Sequence, residues 1–373
     1  MSTQVSAAAV ADRLLPSASP VRLLDDATPA GYARDYAMPS EQRLRSAYRA
    51  MVIGRRFDTQ ATALTKQGKL AVYPSSRGQE ACQIAAAASL RDDDWLFPTY
   101  RDTMSLVSRG LDPIEVLTLL RGTWHCGYDS QATKTAPQCT PLATQSLHAV
   151  GLAHGQARKG RDSVALAMLG DGATSEGDFH EALNFAAVFR APVVFLVQNN
   201  GWAISVPLAK QSAAPTLAHK GVGYGVPAEQ VDGNDVAAMT SVLDTAVEHA
   251  RSGGGPFLIE AHTYRLEAHT NADDATRYRE DTEVEQWRGR DPLERAERYL
   301  RARGCLGDED VRGFAEEAEE FAGSVRARMQ QEPEVAPLEI FEHVFGELTP
   351  QLQEQRAQVV AEQAAEAMSE EDR

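Results

Sequence analysis

Leu169-Gly170-Asp171-Gly172-Ala173-Thr174-Ser175-Glu176-Gly177 is the stretch on which the fold turns. An apolar run, Val164 to Leu169, breaks into two glycines and then opens a periodic segment, Ser175 to Phe189, with Phe179, Leu183 and Ala186 on one face. That pattern predicts a strand running into a helix. Further short apolar runs follow at Val193 to Gln198, Glu229 to Val231 and Phe257 to Ala261. Val236 to Arg251 repeats the helical period through Met239, Leu243 and Ala246 until Gly253-Gly254-Gly255-Pro256 stops it. Short unalternating strands separated by helices are buried on both faces, so these segments predict an α/β fold with an open, parallel, doubly wound sheet flanked by helices.

Working outward, Ser40 is placed to cap a helix carrying Leu44, Tyr48, Met51 and Val52 and running to about Gly68. A second helix starts near Gly78-Gln79-Glu80 and ends at Leu90, where Arg91-Asp92-Asp93-Asp94 turns the chain into Trp95-Leu96-Phe97-Pro98. Arg265 to Asp281 is polar without an apolar period and reads as a long functional loop. The reading divides the chain into a mobile arm over 1–40, one domain over 41–350 with helical extensions, and an acidic tail over 351–373 that is a helix or a frayed end. Asp12, Asp25 and Asp26, with no continuous apolar core, make the first forty residues unlike a secretory signal or a transit peptide.

Composition narrows the function. With 43% hydrophobic and 24% charged residues the 373-residue chain reads as a soluble globular protein. Its 37 basic and 53 acidic side chains give a formal charge of −16, which argues against a nucleic-acid binder. No apolar run approaches the ~20 residues that cross a bilayer. Cys82, Cys126, Cys139 and Cys305 lack CxxC spacing, so free thiols in a reducing cytoplasm are expected.

Backbone amides where a helix opens attract phosphate oxygens, and Gly170 and Gly172 let a ligand come close. A tight strand-to-helix turn explains the glycines equally well. Asp171 between them changes the balance, because its charge is compatible with phosphate only if a cation such as Mg²⁺ stands between the two. The next strand delivers Asn199-Asn200-Gly201-Trp202 to the same sheet edge if the two strands are neighbours.

Gly170-Asp171-Gly172 followed after 26 residues by Asn199-Asn200 matches the thiamine diphosphate motif. Around it stand Gly78-Gln79-Glu80-Ala81, Phe97-Pro98-Thr99-Tyr100-Arg101, Pro141-Leu142-Ala143-Thr144-Gln145, Val231-Asp232-Gly233-Asn234-Asp235 and Thr263-Tyr264-Arg265. With these segments in this order, the chain from about Glu41 to Leu352 resembles the E1 α subunits of 2-oxo acid dehydrogenase complexes. It is nearest the branched-chain enzymes, especially the actinobacterial ones.

The resemblance implies the thiamine-diphosphate-binding fold and a set of site residues. Asp171, the Asn200 side chain and the Trp202 carbonyl would hold Mg²⁺. Tyr100 and Arg101 would reach the diphosphate of the cofactor, with Gly170 in the phosphate turn and Gly172 and Ala173 donating their amides. Leu142 would sit beneath the bend of thiamine diphosphate, and backbone groups of Thr140 and Leu142 would meet its pyrimidine. The Cys139 and Pro141 carbonyls with Thr144 and Gln145 resemble a potassium (K⁺) site, while from the residues alone Thr144 and Gln145 read as helix caps. His269 corresponds to a loop histidine that contacts the phosphates and the active site. Glu267 and Ala268 depart from the family pattern there, Thr270 stands at the position of a regulatory serine, and Gln198 stands where some relatives carry a phosphate-binding arginine.

The implied reaction is decarboxylation of a 2-oxo acid followed by transfer of the acyl group to lipoyl-lysine. The resemblance places the carboxyl that activates the cofactor on a separate β subunit, giving an α₂β₂ heterotetramer that docks on a lipoylated E2 acyltransferase. Pro141 to Gln145 favours branched-chain 2-oxo acids of the 3-methyl-2-oxobutanoate type. Pro74 lies where animal pyruvate enzymes present a histidine, and pyruvate is the alternative substrate. Two rivals remain: an NAD-dependent dehydrogenase, since Gly170-x-Gly172 and Gly221-x-Gly223-x-Gly225 imitate dinucleotide loops, and a cofactor-binding subunit that only scaffolds its partner.

Overall fold

The computed structural model describes residues 14–24, 32, 34–331, 336–342 and 344–371. They fall into two compact units that divide between Met329 and Gln330. The first contains a five-stranded sheet made of β1 (Trp95–Phe97), β2 (Ala165–Gly170), β3 (Val193–Asn199), β4 (Ala228–Asp232) and β5 (Phe257–His262). All neighbours are parallel and the order across the sheet is β1-β2-β3-β5-β4.

The period of two along each strand sends alternate side chains to opposite faces, and each face has its own apolar core. Leu166, Met168, Val194, Leu196 and Ile259 pack with the helices Glu80–Ala88 and Val236–His249. Ala165, Ala167, Leu169, Val193, Phe195 and Val197 pack with Thr144–Arg158 and Gly177–Phe189. Both faces are therefore covered, as the unalternating apolar runs require. The long amino-terminal helix Glu41–Lys66 is capped by Ser40, whose hydroxyl accepts from the Arg43 N–H, and its apolar face packs on Pro292–Ala302 and Asp308–Arg328.

Three features differ from the sequence reading. Trp95–Phe97 is an edge strand paired with β2 on one side and bonded to the Lys134 carbonyl on the other. Three residues between an acidic turn and a proline carry no readable period. Thr103–Ser108 and Pro113–Arg121 are two further helices, outside those expected from the sequence. The third feature is the segment expected to be a mobile arm, which over its described residues is tied to the sheet. Val21 forms a parallel bridge with Val231, Ser17 and Tyr36 donate to the buried Glu229 carboxylate, and the amides of Leu23 and Leu24 donate to Asp235 at 2.8 Å. An edge strand and two buried carboxylates need partners, and this segment supplies them. Residues 1–13, 25–31 and 33 of that segment lie outside the described residues.

The second unit contains the helix Pro350–Glu371, where the acidic tail was expected. Among the described residues, no helix is long and apolar enough to cross a membrane, and all four cysteines are free thiols.

Candidate active site

The register aligns Gly170 of β2 with Gln198 of β3, so the turns that follow, at Asp171 and Asn200, leave the carboxyl edge of the sheet side by side. Ligands of open α/β sheets bind at that edge. A cleft opens there, lined among others by Tyr100, Arg101, Leu142, Asp171, Asn200, Trp202, Arg265 and His269. Gly170 and Gly172 border it too, and a Cβ on Gly172 would come within 2.8 Å of the Ala203 Cβ, so the chain crossing beneath the cleft leaves room only for glycine.

The turn after β2 is a short 3₁₀ segment, Gly172–Ser175, and the α-helix begins only at Gly177. The helix expected over Ser175 to Phe189 therefore starts two residues later, and a 3₁₀ turn separates it from the glycines. Gly172 and Ala173 still precede the first bonded amide of the turn, since the Thr174 N–H donates to the Asp171 carbonyl at 3.1 Å.

Asp171 is 1% exposed and, among the described residues, has no ion-pair partner. One carboxylate oxygen accepts from Gln211 Nε2 at 2.8 Å, and the Asn200 N–H also faces the carboxylate. Burial nevertheless lifts this carboxyl above the ordinary range, with Gln211 and the charge of Arg265 opposing the shift. A buried carboxylate left in that condition is a place for a cation.

Opposite it the imbalance has the other sign. Arg101 donates to the Ser75 carbonyl at 2.8 Å and to the His269 carbonyl at 3.0 Å, and Arg265 donates to the Ile204 carbonyl and the Tyr278 hydroxyl, both at 2.9 Å. Neither guanidinium reaches a carboxylate among the described residues, and Arg265 Nε is buried without a hydrogen-bond partner. Burial and the charge of Arg101 depress the pKa of Arg265. Both arginines also donate to His269 Nδ1. Because arginine only donates, Nδ1 must be the bare nitrogen and the imidazole proton sits on Nε2. Burial, then Arg101, then Arg265 push the His269 pKa down to about 4, which keeps the ring neutral. The His269 backbone N–H donates to Asp273 at 2.8 Å, and the ring meets Tyr100 edge-on at 6.2 Å.

Supports of this geometry lie one layer back. Asp58, fully buried, accepts from the Tyr73 hydroxyl, the Ser75 hydroxyl and the Ser76 N–H. It thereby fixes the turn whose Ser75 carbonyl holds Arg101. Gly78, at φ 98, lies so close under the Tyr264 carbonyl that an added Cβ would come within 2.1 Å of that oxygen, and this brings the start of helix Glu80–Ala88 against the Arg265 loop.

Not every sequence-derived residue lines the cleft. Cys139 and Leu142 do, but Thr140 and Pro141 are exposed and Thr144 and Gln145 lie behind it. The cap reading of Thr144 and Gln145 fails. Ala143 is the N-cap, Thr144 donates to Asp178 at 3.1 Å, and Gln145 Nε2 turns to the Met168 carbonyl at 2.8 Å. Arg265 and Gln79 lie in segments that carry the resemblance but have no site role in the sequence reading, and Gln211 lies outside those segments. The place of Arg265, where the polar loop leaves β5, is a further signal. The Gly221-Gly223-Gly225 loop of the dehydrogenase rival is a helical turn packed on Val226, Ala228 and Leu258.

The sequence profile described as dehydrogenase E1 component matches residues 48–337. The chain belongs to that family. This E1 component is 48% identical over 346 residues to the 3-methyl-2-oxobutanoate dehydrogenase subunit alpha of Mycobacterium tuberculosis, covering 92% of this chain and 94% of the relative. Identity is 39% over 320 residues with the pyruvate dehydrogenase E1 component subunit alpha of Acholeplasma laidlawii, covering 85% and 92%. With the protein of the same name from Bacillus cereus it is 38% over 323 residues, covering 86% and 87%. Membership of the E1 family implies an oxidoreductase that depends on thiamine diphosphate. The cleft suits that group, since its lining joins two guanidinium groups that reach no carboxylate among the described residues with a buried carboxylate that has no ion-pair partner among them.

Proposed function

We propose that this chain is the α subunit of an E1 that decarboxylates a branched-chain 2-oxo acid of the 3-methyl-2-oxobutanoate type and passes the acyl group to lipoyl-lysine on E2. The observation that carries the reading is the pairing of Asp171 with Arg101 and Arg265 across one sheet edge, a charge pattern made for a diphosphate bridged by a divalent cation. The 48% identity to a subunit named for 3-methyl-2-oxobutanoate supports the substrate class. Pyruvate, the substrate named in the more distant relatives, is the alternative.

Bound thiamine diphosphate supplies a ring that accepts the electron pair left when a 2-oxo acid loses CO₂. The residues of this chain bind and orient it. Asp171, the Asn200 side-chain oxygen and the Trp202 carbonyl would hold Mg²⁺. Tyr100, Arg101 and Arg265 would bind the diphosphate, helped by the amides of Gly172 and Ala173. Leu142 would support the bend of the cofactor, with backbone groups of Thr140 and Leu142 on its pyrimidine. His269 serves both as a phosphate neighbour and as a catalytic residue, because its Nε2 proton is available in the neutral ring. Gln145 Oε1, buried without a partner, and Thr144 Oγ1 offer the neutral oxygens a K⁺ ion needs, together with the Cys139 and Pro141 carbonyls.

The division of the chain into an arm, a catalytic domain over 41–350 and a tail belongs to the same reading. So do the cytoplasmic location, an α₂β₂ assembly in which β contributes the activating carboxyl, and docking on lipoylated E2. The test is kcat/KM of the reconstituted α and β subunits for 3-methyl-2-oxobutanoate and for pyruvate. A higher value for the branched substrate supports the assignment, and the reverse order replaces it with the pyruvate reading.

A further inference from the structure

Asp102, Gln198, Gln79 and Asn200 form a buried line of side chains that starts behind the cleft at Asp102 and continues along its wall, with exposures of 0, 2, 2 and 6%. Gln198 Nε2 donates to Asp102 at 2.7 Å, Gln79 Nε2 donates to Gln198 Oε1 at 3.0 Å, and Asn200 Nδ2 donates to Gln79 Oε1 at 3.2 Å. An amide can be turned end for end with almost no change of shape, so its own packing does not decide which atom points where. Fixed groups at the two ends decide, the Trp202 N–H on the Asn200 oxygen at 3.2 Å and Asp102 at the far end of the line. Burial lifts the Asp102 carboxyl above the ordinary range, but the Thr99 hydroxyl at 2.6 Å, the Gln198 amide, the Thr99 N–H at 2.7 Å and the charge of Arg101 all favour its ionised form, which has nothing to donate.

The consequence propagates. Gln198 must turn its NH₂ to Asp102, which leaves its oxygen for Gln79. Gln79 must turn its NH₂ to Gln198, which leaves its oxygen for Asn200. Asn200 commits its NH₂ to Gln79, and its Oδ1, which accepts the Trp202 N–H at 3.2 Å, keeps a lone pair for another partner. The opposite orientation would present N–H hydrogens to any cation held by Asp171.

We propose that Asp102, Gln198 and Gln79 are positioning residues that fix the Asn200 amide with its oxygen toward the divalent cation. The inference rests on the reading of Asp171 and Asn200 as ligands of that cation, and it assigns a carboxylate three hydrogen bonds away the task of orienting one of them. Outer-shell groups of this kind set the direction and basicity of the ligands they touch.

The test uses the full chain assembled with its β partner and reads the Mg²⁺ concentration that gives half-maximal binding of thiamine diphosphate, alongside the melting temperature without cofactor. Asp102→Asn removes the acceptor-only end at nearly constant shape and should raise that midpoint about tenfold, the lower end of outer-shell effects. Gln198→Met breaks two links at similar volume and should do the same. In the double variant Asp102→Asn/Gln198→Glu the carboxylate moves one step along the line, accepts from both neighbours and restores the Asn200 orientation, so the midpoint should return toward that of the parent. A purely structural role would move the melting temperature and leave no such rescue. Unchanged midpoints in both Asp102→Asn and Gln198→Met, or a double variant as weak as Asp102→Asn, overturn the proposal while a Mg²⁺-dependent parent keeps the cation reading. A parent whose cofactor binding ignores Mg²⁺ overturns both.

Discussion

Arg101 and Arg265 aim their guanidinium groups at one atom, the Nδ1 of His269, each at 3.1 Å. Two cations sharing one neutral acceptor repel each other, and the fold tolerates the arrangement by spreading the remaining donors over the carbonyls of Ser75, His269 and Ile204 and the hydroxyl of Tyr278. An arriving anion relieves the repulsion. The histidine thus reports on the charge state of the cleft.

His269 should titrate near pH 4 in the cofactor-free chain. An unfolded imidazole takes its proton near pH 6.5. Between those values the unfolded chain binds the extra proton, so the His269 contribution to stability is complete above about pH 6.5 and is lost as pH falls toward 4. His269→Gln should flatten the difference in melting temperature across that window, and inorganic pyrophosphate should raise the titration midpoint seen by NMR. A midpoint near 6.5 without ligand contradicts the two-arginine geometry.

Arg265→Gln should weaken thiamine diphosphate binding by about 10- to 100-fold, the equivalent of about 1.5 to 3 kcal/mol for a hydrogen bond to a charged group. Calorimetry at two salt concentrations checks it, since the variant should also lose part of the salt dependence. Parental affinity would remove Arg265 from the phosphate site.

Asp171→Asn should abolish Mg²⁺-dependent cofactor binding and leave the fold in place. The lost charge is buried and has no ion-pair partner among the described residues, so its removal should not lower the melting temperature. Cofactor affinity that survives the change, measured with and without Mg²⁺, would sink the metal assignment.

The central sheet was legible because burial on both faces writes strands as plain apolar runs, and the carboxyl edge was legible because glycines and a carboxylate interrupt one of them. What the sequence hid has physical reasons. Trp95–Phe97 is too short to show a period. Arg265 is 1% exposed although it is an arginine, because the Ile204 carbonyl, the Tyr278 hydroxyl and His269 Nδ1 receive its donors. Thr144 and Gln145 look like caps because their chemistry suits caps, yet a carboxylate on the neighbouring helix and a strand carbonyl claim their side chains. The tie between Val21 and Val231 joins residues far apart in the chain, and no local pattern announces it.

Thr144→Val should make thiamine diphosphate affinity insensitive to potassium at nearly constant volume. Affinity measured in potassium and in a large organic cation tests this. If the parent protein itself shows no potassium dependence, the oxygens around Gln145 are structural.

The most direct test of the whole account is single-turnover decarboxylation of 3-methyl-2-oxobutanoate, with thiamine diphosphate and Mg²⁺ present, by the purified chain alone and after addition of its β partner. The account predicts no CO₂ release from the chain alone and release on reconstitution, because the chain binds and orients the cofactor while the activating carboxyl comes from β. Robust turnover by the chain alone, or none by the reconstituted pair on either 3-methyl-2-oxobutanoate or pyruvate, would contradict it.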